Sequence, residues 1–142
     1  MAQKILISTG GSGGHVIPAI TFYNHLKHTH EIFISTDIRG LAYLDKNYKV
    51  FVINTPKLNN YILLPFSFLK ILFLTVKSFF LLKKNKISIL ISTGGYMSLP
   101  LCLAAKILGI NIFLIEPNMV LGRANKFFLN FKKINMLFKK FN

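Results

Sequence analysis

Acidic residues are nearly missing from this chain. Its 142 residues include 4 Asp+Glu against 18 Lys+Arg, a formal net charge of +14. Such an imbalance points to an anionic partner, either nucleic acid or an anionic membrane. Arginine is scarce too, since sixteen of the basic residues are Lys and two are Arg, in a sequence crowded with Ile, Asn and Phe. An A/T-rich coding sequence produces the same bias, so total charge decides little. There is a single cysteine, Cys102, in an apolar Leu-Ala setting. That excludes an internal disulfide and fits a reducing, cytoplasmic environment. The N-terminus runs from MAQK straight into Ile5-Leu6-Ile7-Ser8, with no long apolar core and no small-residue cleavage site. A signal peptide is therefore not expected. Apolar residues are plentiful at 52%. Disorder is excluded, because such a chain buries enough surface to offset its conformational entropy, and the length corresponds to one domain.

Charge is unevenly placed. Residues 1–56 carry five basic and three acidic residues, a net +2, whereas residues 57–142 carry thirteen basic residues and only Glu116, a net +12. Short β-branched runs at 5–8, 31–35, 50–54, 87–92 and 111–115 read as buried strands. Helical patterns lie between and after them at about 16–28, 64–85, 99–108 and 122–141, while 37–48 reads as a short helix or irregular turn. Near-continuous apolar strands alternating with helices predict an α/β fold with a doubly wound, Rossmann-like parallel sheet. Right-handed crossovers bring the loops after the strands to one edge, where ligands bind in such sheets.

The chain repeats itself on that edge. Residues 5–11 and 89–95 are both Ile-Leu-Ile-Ser-Thr-Gly-Gly, and each copy leads toward a helix with Pro (Pro18, Pro100) expected in its first turn. Gly10-Gly11-Ser12-Gly13-Gly14-His15 gives backbone amides close access to a ligand at a helix N-terminus, which favours phosphate. It is neither a Walker loop nor a dinucleotide fingerprint, since Val16 stands where the third glycine belongs. A tight strand-to-helix turn is the plain alternative. His15 at the helix mouth is suited to donate to phosphate or to take a proton from a hydroxyl, although a capping or surface role also fits. The second loop, Thr93 to Ser98, offers Tyr96 as a hydrogen-bonding group and Ser98 as a cap for the next helix. Glu116 directly follows the last predicted strand, where a carboxylate reads as functional, with an ion pair to Arg123 as its structural alternative.

The 22 residues from Tyr61 to Leu82 are long enough to cross a bilayer. Lys70, Lys77 and Lys84 recur every seven residues, with Ser67 and Ser78 near the same stripe, giving one polar edge on an apolar helix. Central lysines are costly in a spanning helix, and a span would break the strand–helix alternation. The pattern instead predicts an interfacial helix, with Phe66, Phe68, Leu69, Leu72 and Phe73 toward lipid, Lys70, Lys77 and Lys84 along its membrane-contacting edge and Lys83, Lys84 and Lys86 near anionic headgroups. A helix packed on the sheet with an exposed lysine edge is the structural alternative, and the two are compatible. Nucleic-acid binding is not expected, because it favours Arg and stacking aromatics on a polar face.

Thr9-Gly10-Gly11-Ser12-Gly13-Gly14-His15 followed by Pro18-Ala19 resembles the first glycine loop of the MurG family, within glycosyltransferase family 28. Thr93-Gly94-Gly95-Tyr96-Met97-Ser98, with Pro100 and Ala104-Ala105, is similar to that family's second loop. Glu116-Pro117-Asn118, with Gly122, Asn125 and Lys126, is similar to its third motif, so the likeness spans about residues 4–130. The resemblance implies that residues 1–142 form one acceptor-binding domain, the N-terminal half of a two-domain GT-B glycosyltransferase, with the C-terminal donor-binding domain absent. The implied reaction is inverting transfer of N-acetylglucosamine from UDP-N-acetylglucosamine to undecaprenyl-diphosphate-muramoyl-pentapeptide (lipid I). It needs no metal or cofactor, and it takes place at the cytoplasmic face of the bacterial inner membrane, to which the enzyme binds peripherally.

By motif position, the resemblance makes His15 the candidate base or diphosphate contact and Glu116 a second catalytic candidate. Gly11, Ser12, Gly13, Gly14, Gly94, Gly95, Tyr96 and Ser98 would bind acceptor, and Asn118 would reach toward the donor sugar. Two positions depart from the family pattern: Ile115 replaces the usual His, and Pro117 stands where Gln is common. The alternatives are a membrane-anchoring subunit that works with a separately encoded donor-binding chain, and a non-catalytic module that binds polyprenyl diphosphates.

Overall fold

The computed structural model describes residues 2–56, 64–116 and 134–138. Each apolar β-branched run forms a strand: β1 Lys4–Ser8, β2 Glu31–Thr36, β3 Val50–Val52, β4 Ile89–Ser92 and β5 Asn111–Glu116. A sixth, β6 Ile134–Phe138, pairs with β5. All neighbours are parallel, in the order β3-β2-β1-β4-β5-β6. The helices are α1 Gly13–Leu26, α2 Leu64–Lys84 and α3 Leu99–Ile107. This is the doubly wound arrangement expected, and strand order reverses between β1 and β4.

Alternation along the strands supplies a core on both sheet faces. Ile5, Ile7, Ile32 and Ile91 pack with Ala19 of α1 on one face. Leu6, Phe33, Leu90, Ile112 and Leu114 pack on the other with Leu74 and Leu82 of α2 and Leu101, Cys102, Ala104 and Ala105 of α3. Three adjacent strands end in the same Ile-Ser-Thr triplet, at 7–9, 34–36 and 91–93. Register aligns Ser8 with both Ser35 and Ser92. These serines and the following Thr9, Thr36 and Thr93 are all buried, forming two rows of small hydroxyl side chains beneath the loops. Side chains this small let the loops sit low over the end of the sheet.

Two expectations change. The helical pattern over 122–141 yields strand β6 at Ile134–Phe138, and the rest of that span lies outside the described residues. Asn135 is exposed at this strand, in an apolar run bounded by Lys132-Lys133 and Lys139-Lys140. The stripe of α2 is also divided differently. Ser67, Thr75 and Ser78 face inward with Ile71, Leu74 and Leu82, while Lys70, Lys77 and Lys84 are exposed on the outer side. The polar edge is therefore lysine alone, and small hydroxyls sit where α2 lies against the protein. Residues Pro65–Lys84 are long and apolar enough, by length and composition, to cross a membrane. Their inward face is nonetheless part of the core, as a βαβ crossover requires.

Candidate functional site

The loops after β1, β2 and β4 and the end of β5 share one sheet edge. The β1 loop turns into α1 at Gly13, three residues earlier than the sequence pattern suggested, with Ser12 as N-cap. Pro18 therefore lies inside the helix rather than in its first turn. It has no N–H to give the Gly14 carbonyl. The Ser12 side chain makes no capping bond, so the first-turn amides of Gly13 and Gly14 are left for a ligand.

His15 ties this loop to the second. Its Nδ1 lies 2.8 Å from the Thr93 carbonyl oxygen, and Thr93 Oγ1 donates to the His15 carbonyl at 3.0 Å. A carbonyl only accepts, so Nδ1 carries the proton and the neutral ring keeps its lone pair at Nε2. The second loop approaches that nitrogen through Gly95, whose φ of 86° and ψ of 152° only glycine adopts comfortably. A Cβ there would lie 3.6 Å from Gly10 Cα and 3.8 Å from His15 Nε2. The two glycine loops thus meet at the reversal point of the sheet, with His15 between them.

Tyr96 begins a 3₁₀ turn, Tyr96–Ser98, and is half-buried. Ser98 makes no side-chain cap for α3. It is 1% exposed, and its hydroxyl donates to the Gly95 carbonyl at 2.8 Å, so it shapes the loop from beneath. Gly94 is buried and Ser12 and Gly14 are exposed. Glu116 is buried at the end of β5, two strands from β1, which is about 10 Å across the sheet. Asn118 lies outside the described residues, as do Pro117 and Arg123.

The sequence reading missed the loop after β2. Asp37 is 4% exposed. Its Oδ1 accepts the backbone N–H of Arg39 at 3.1 Å and of Gly40 at 3.0 Å. Its Oδ2 accepts Arg39 Nε at 2.7 Å and pairs with Nη2 at 2.6 Å. Arg39 Nη2 also donates to Tyr96 Oη at 3.2 Å. That hydrogen bond to Asp37, with the charge attraction behind it, raises the Arg39 pKa above its ordinary value. The third Ile-Ser-Thr triplet was the available signal, since it puts residue 37 on the edge shared by the glycine loops. Among the described residues no group of three His, Cys, Asp or Glu side chains is placed to hold a metal ion.

The profile of the glycosyltransferase family 28 N-terminal domain matches residues 5–135. A Pelagibacter ubique protein, described as UDP-N-acetylglucosamine--N-acetylmuramyl-(pentapeptide) pyrophosphoryl-undecaprenol N-acetylglucosamine transferase, is 54% identical over 92% of this chain and 37% of its own length. A Rickettsia prowazekii protein of the same description is 36% identical over 92% of this chain and 34% of its own. The chain thus spans little more than a third of these relatives. Among solved structures, Acinetobacter baumannii MurG superposes with a TM-score of 0.79 at 26% identity, covering 96% of this chain and 42% of that one. A Rickettsia africae glycosyltransferase shares the fold, with a TM-score of 0.69 at 18% identity over 95% of this chain and 36% of that one.

Proposed function

The chain belongs to glycosyltransferase family 28, whose N-terminal domain it carries, and on that premise we propose that it is the acceptor-binding half of an N-acetylglucosaminyltransferase. The acceptor is lipid I, the donor is UDP-N-acetylglucosamine, and the product is lipid II for peptidoglycan. The reading is carried by the paired hydrogen bonds between His15 and Thr93, which lock the two glycine loops together and leave Nε2 unprotonated in the neutral ring. The acceptor's diphosphate sits against the first-turn amides of α1 and the Gly94-Gly95 turn. His15 Nε2 takes the proton of the attacking sugar hydroxyl as its oxygen bonds to the anomeric carbon of the donor. The bond from that carbon to the β-phosphate breaks, and UDP leaves with the electron pair. The donor is held by a second, donor-binding half. Glu116 and Tyr96 are assigned to the acceptor side, and the motif assigns Asn118, which lies outside the described residues, to the donor sugar.

The outward face of α2 seats the enzyme on the anionic cytoplasmic face of the bacterial inner membrane. Phe66, Phe68, Leu69, Leu72 and Phe73 are each more than half exposed, flanked by Lys70, Lys77 and Lys84. Apolar side chains opposite a packed face favour a lipid interface.

Joining this chain to the donor-binding part of the Pelagibacter relative and supplying lipid I with labelled UDP-N-acetylglucosamine tests the reading. Transfer is expected from the joined protein and not from the chain alone. His15→Ala is expected to lower kcat about 10²–10⁴-fold. A joined protein that binds donor yet transfers nothing to lipid I would overturn the proposal. Activity restored by a donor-binding chain added in trans would make this a subunit of a split enzyme, and lipid binding without turnover would make it a binding module.

A further inference from the structure

Neither glycine loop contains a Lys or Arg. They offer a diphosphate amide dipoles, the Ser12 and Tyr96 hydroxyls and the His15 imidazole, but no fixed positive charge. The loop after β2 brings a permanent charge to the same edge. Asp37 spends both carboxylate oxygens on Arg39 and its neighbour: two backbone N–H groups on Oδ1 and two guanidinium N–H groups on Oδ2. The carboxylate is buried against the first glycine loop so closely that a Cβ on Gly11 would overlap it. Arg39 extends from this anchor to Tyr96 Oη in the second loop. The guanidinium is thus held at the junction of three loops by partners on two of its edges. Its side chain is 52% exposed, and Nη1 has no partner among the described residues.

We propose that Arg39 is a further ligand-binding residue of this site, its free guanidinium edge taking a phosphate oxygen of a bound diphosphate, and that the acceptor lipid is the source of that diphosphate. The inference rests on the acceptor-binding reading given above. Asp37 is the positioning residue, because it fixes the guanidinium plane in advance. A planar fork held in place recognises phosphate with less entropy lost than a free lysine would. The sugar nucleotide also carries a diphosphate, so the two sources need separate measurements.

Calorimetry on the 142-residue chain with farnesyl diphosphate, farnesol and UDP-N-acetylglucosamine separates them. Arg39→Gln is expected to weaken farnesyl diphosphate about tenfold to a hundredfold and to leave farnesol unchanged. Arg39→Lys, which keeps the charge but loses the fork, is expected to fall between. A purely structural Asp37–Arg39 pair would lower the melting temperature and weaken both lipids alike, and that result overturns the proposal. So does unaltered diphosphate binding by a folded Arg39→Gln or Arg39→Lys protein. Selective loss of UDP-N-acetylglucosamine would overturn the assignment to the acceptor lipid. If the unaltered chain binds no polyprenyl diphosphate at all, the acceptor-binding reading itself falls, and this inference with it.

Discussion

Gly14 separates what the fold needs from what a ligand needs. It lies in the first turn of α1, and a Cβ built on it meets nothing within 4 Å. Its backbone is not in the left-handed region, which among the described glycines holds Gly94, Gly95 and Gly109. The protein therefore has no internal use for the missing side chain. Gly14→Ala is expected to stabilise the chain by about 0.4–1 kcal/mol through the lower entropy of its unfolded state. For a domain of this size that is a rise of about 1–4 °C in Tm. The same methyl stands beside first-turn amides that face the proposed diphosphate. Displacing a phosphate oxygen from one such amide costs about 1.5–3 kcal/mol, a charge-assisted hydrogen bond, or about tenfold to a hundredfold in Kd. Circular dichroism melts and calorimetry with farnesyl diphosphate read the two effects on one sample. Opposite signs, tighter folding with weaker binding, are expected. A Gly14→Ala protein that gains stability and binds diphosphate as before would show that these amides hold no ligand, and would remove the helix terminus from the site.

Gly11 gives the opposite result. Its added Cβ overlaps the Asp37 carboxylate, so Gly11→Ala is expected to lower stability by about 1–3 kcal/mol, read as a fall in urea midpoint with unchanged slope. Cys102 is fully buried beside α2, and burial pushes its thiol up to about 12 from 9.0. Native protein at pH 8 is therefore expected to resist thiol reagents that label it at once in denaturant. The native state holds this proton more tightly than the unfolded chain does. Its contribution to stability is thus full below about pH 9 and is lost as pH rises toward 12, which alkaline melts of the native protein and Cys102→Ala would separate.

Most strands were legible because a parallel sheet covered on both faces needs unbroken β-branched runs, and Ile5–Ser8 or Ile112–Ile115 have no other reading. The glycine loops were legible because Thr-Gly-Gly after such a run leaves little but a turn at the sheet edge. Arg39 was not, since Asp37-Ile38-Arg39-Gly40 has no periodicity and its order comes from a carboxylate buried beneath another loop. Strand β6 was obscured because Phe- and Lys-rich composition over a long window mimics a helical period, while the strand itself is only five residues, four of them apolar. The inner face of α2 was misjudged for a related reason. When both faces are apolar, the period says a helix is there but not which side is buried. Ser67 and Ser78 look polar in sequence, yet small side chains are what close packing against a neighbouring element selects.

The direction of α2 carries the last prediction. Just past its end, the Ser88 amide bonds to the Lys4 carbonyl at the start of β1, so the helix finishes at the edge opposite the glycine loops. Its 21 residues span about 31 Å, which puts Phe66 and Phe68 at the loop edge and Lys83 and Lys84 at the far one. Among the described side chains of this helix, five of the seven large apolar ones that are exposed lie between Phe66 and Phe73. On the acceptor-binding reading proposed above, the acceptor presents its diphosphate at headgroup level, and a membrane met by this end of α2 would deliver it to the loops. The chain has no Trp, which makes Phe66→Trp and Phe80→Trp each a single fluorophore at an exposed site. Both variants are expected to melt as the parent does, because these side chains are 72% and 64% exposed. On anionic vesicles carrying brominated acyl chains, Trp fluorescence at position 66 is expected to be quenched more strongly than at 80. Equal quenching would mean that the helix lies flat, and stronger quenching at 80 would turn the loops away from the bilayer. Either outcome refutes delivery of the acceptor from this end.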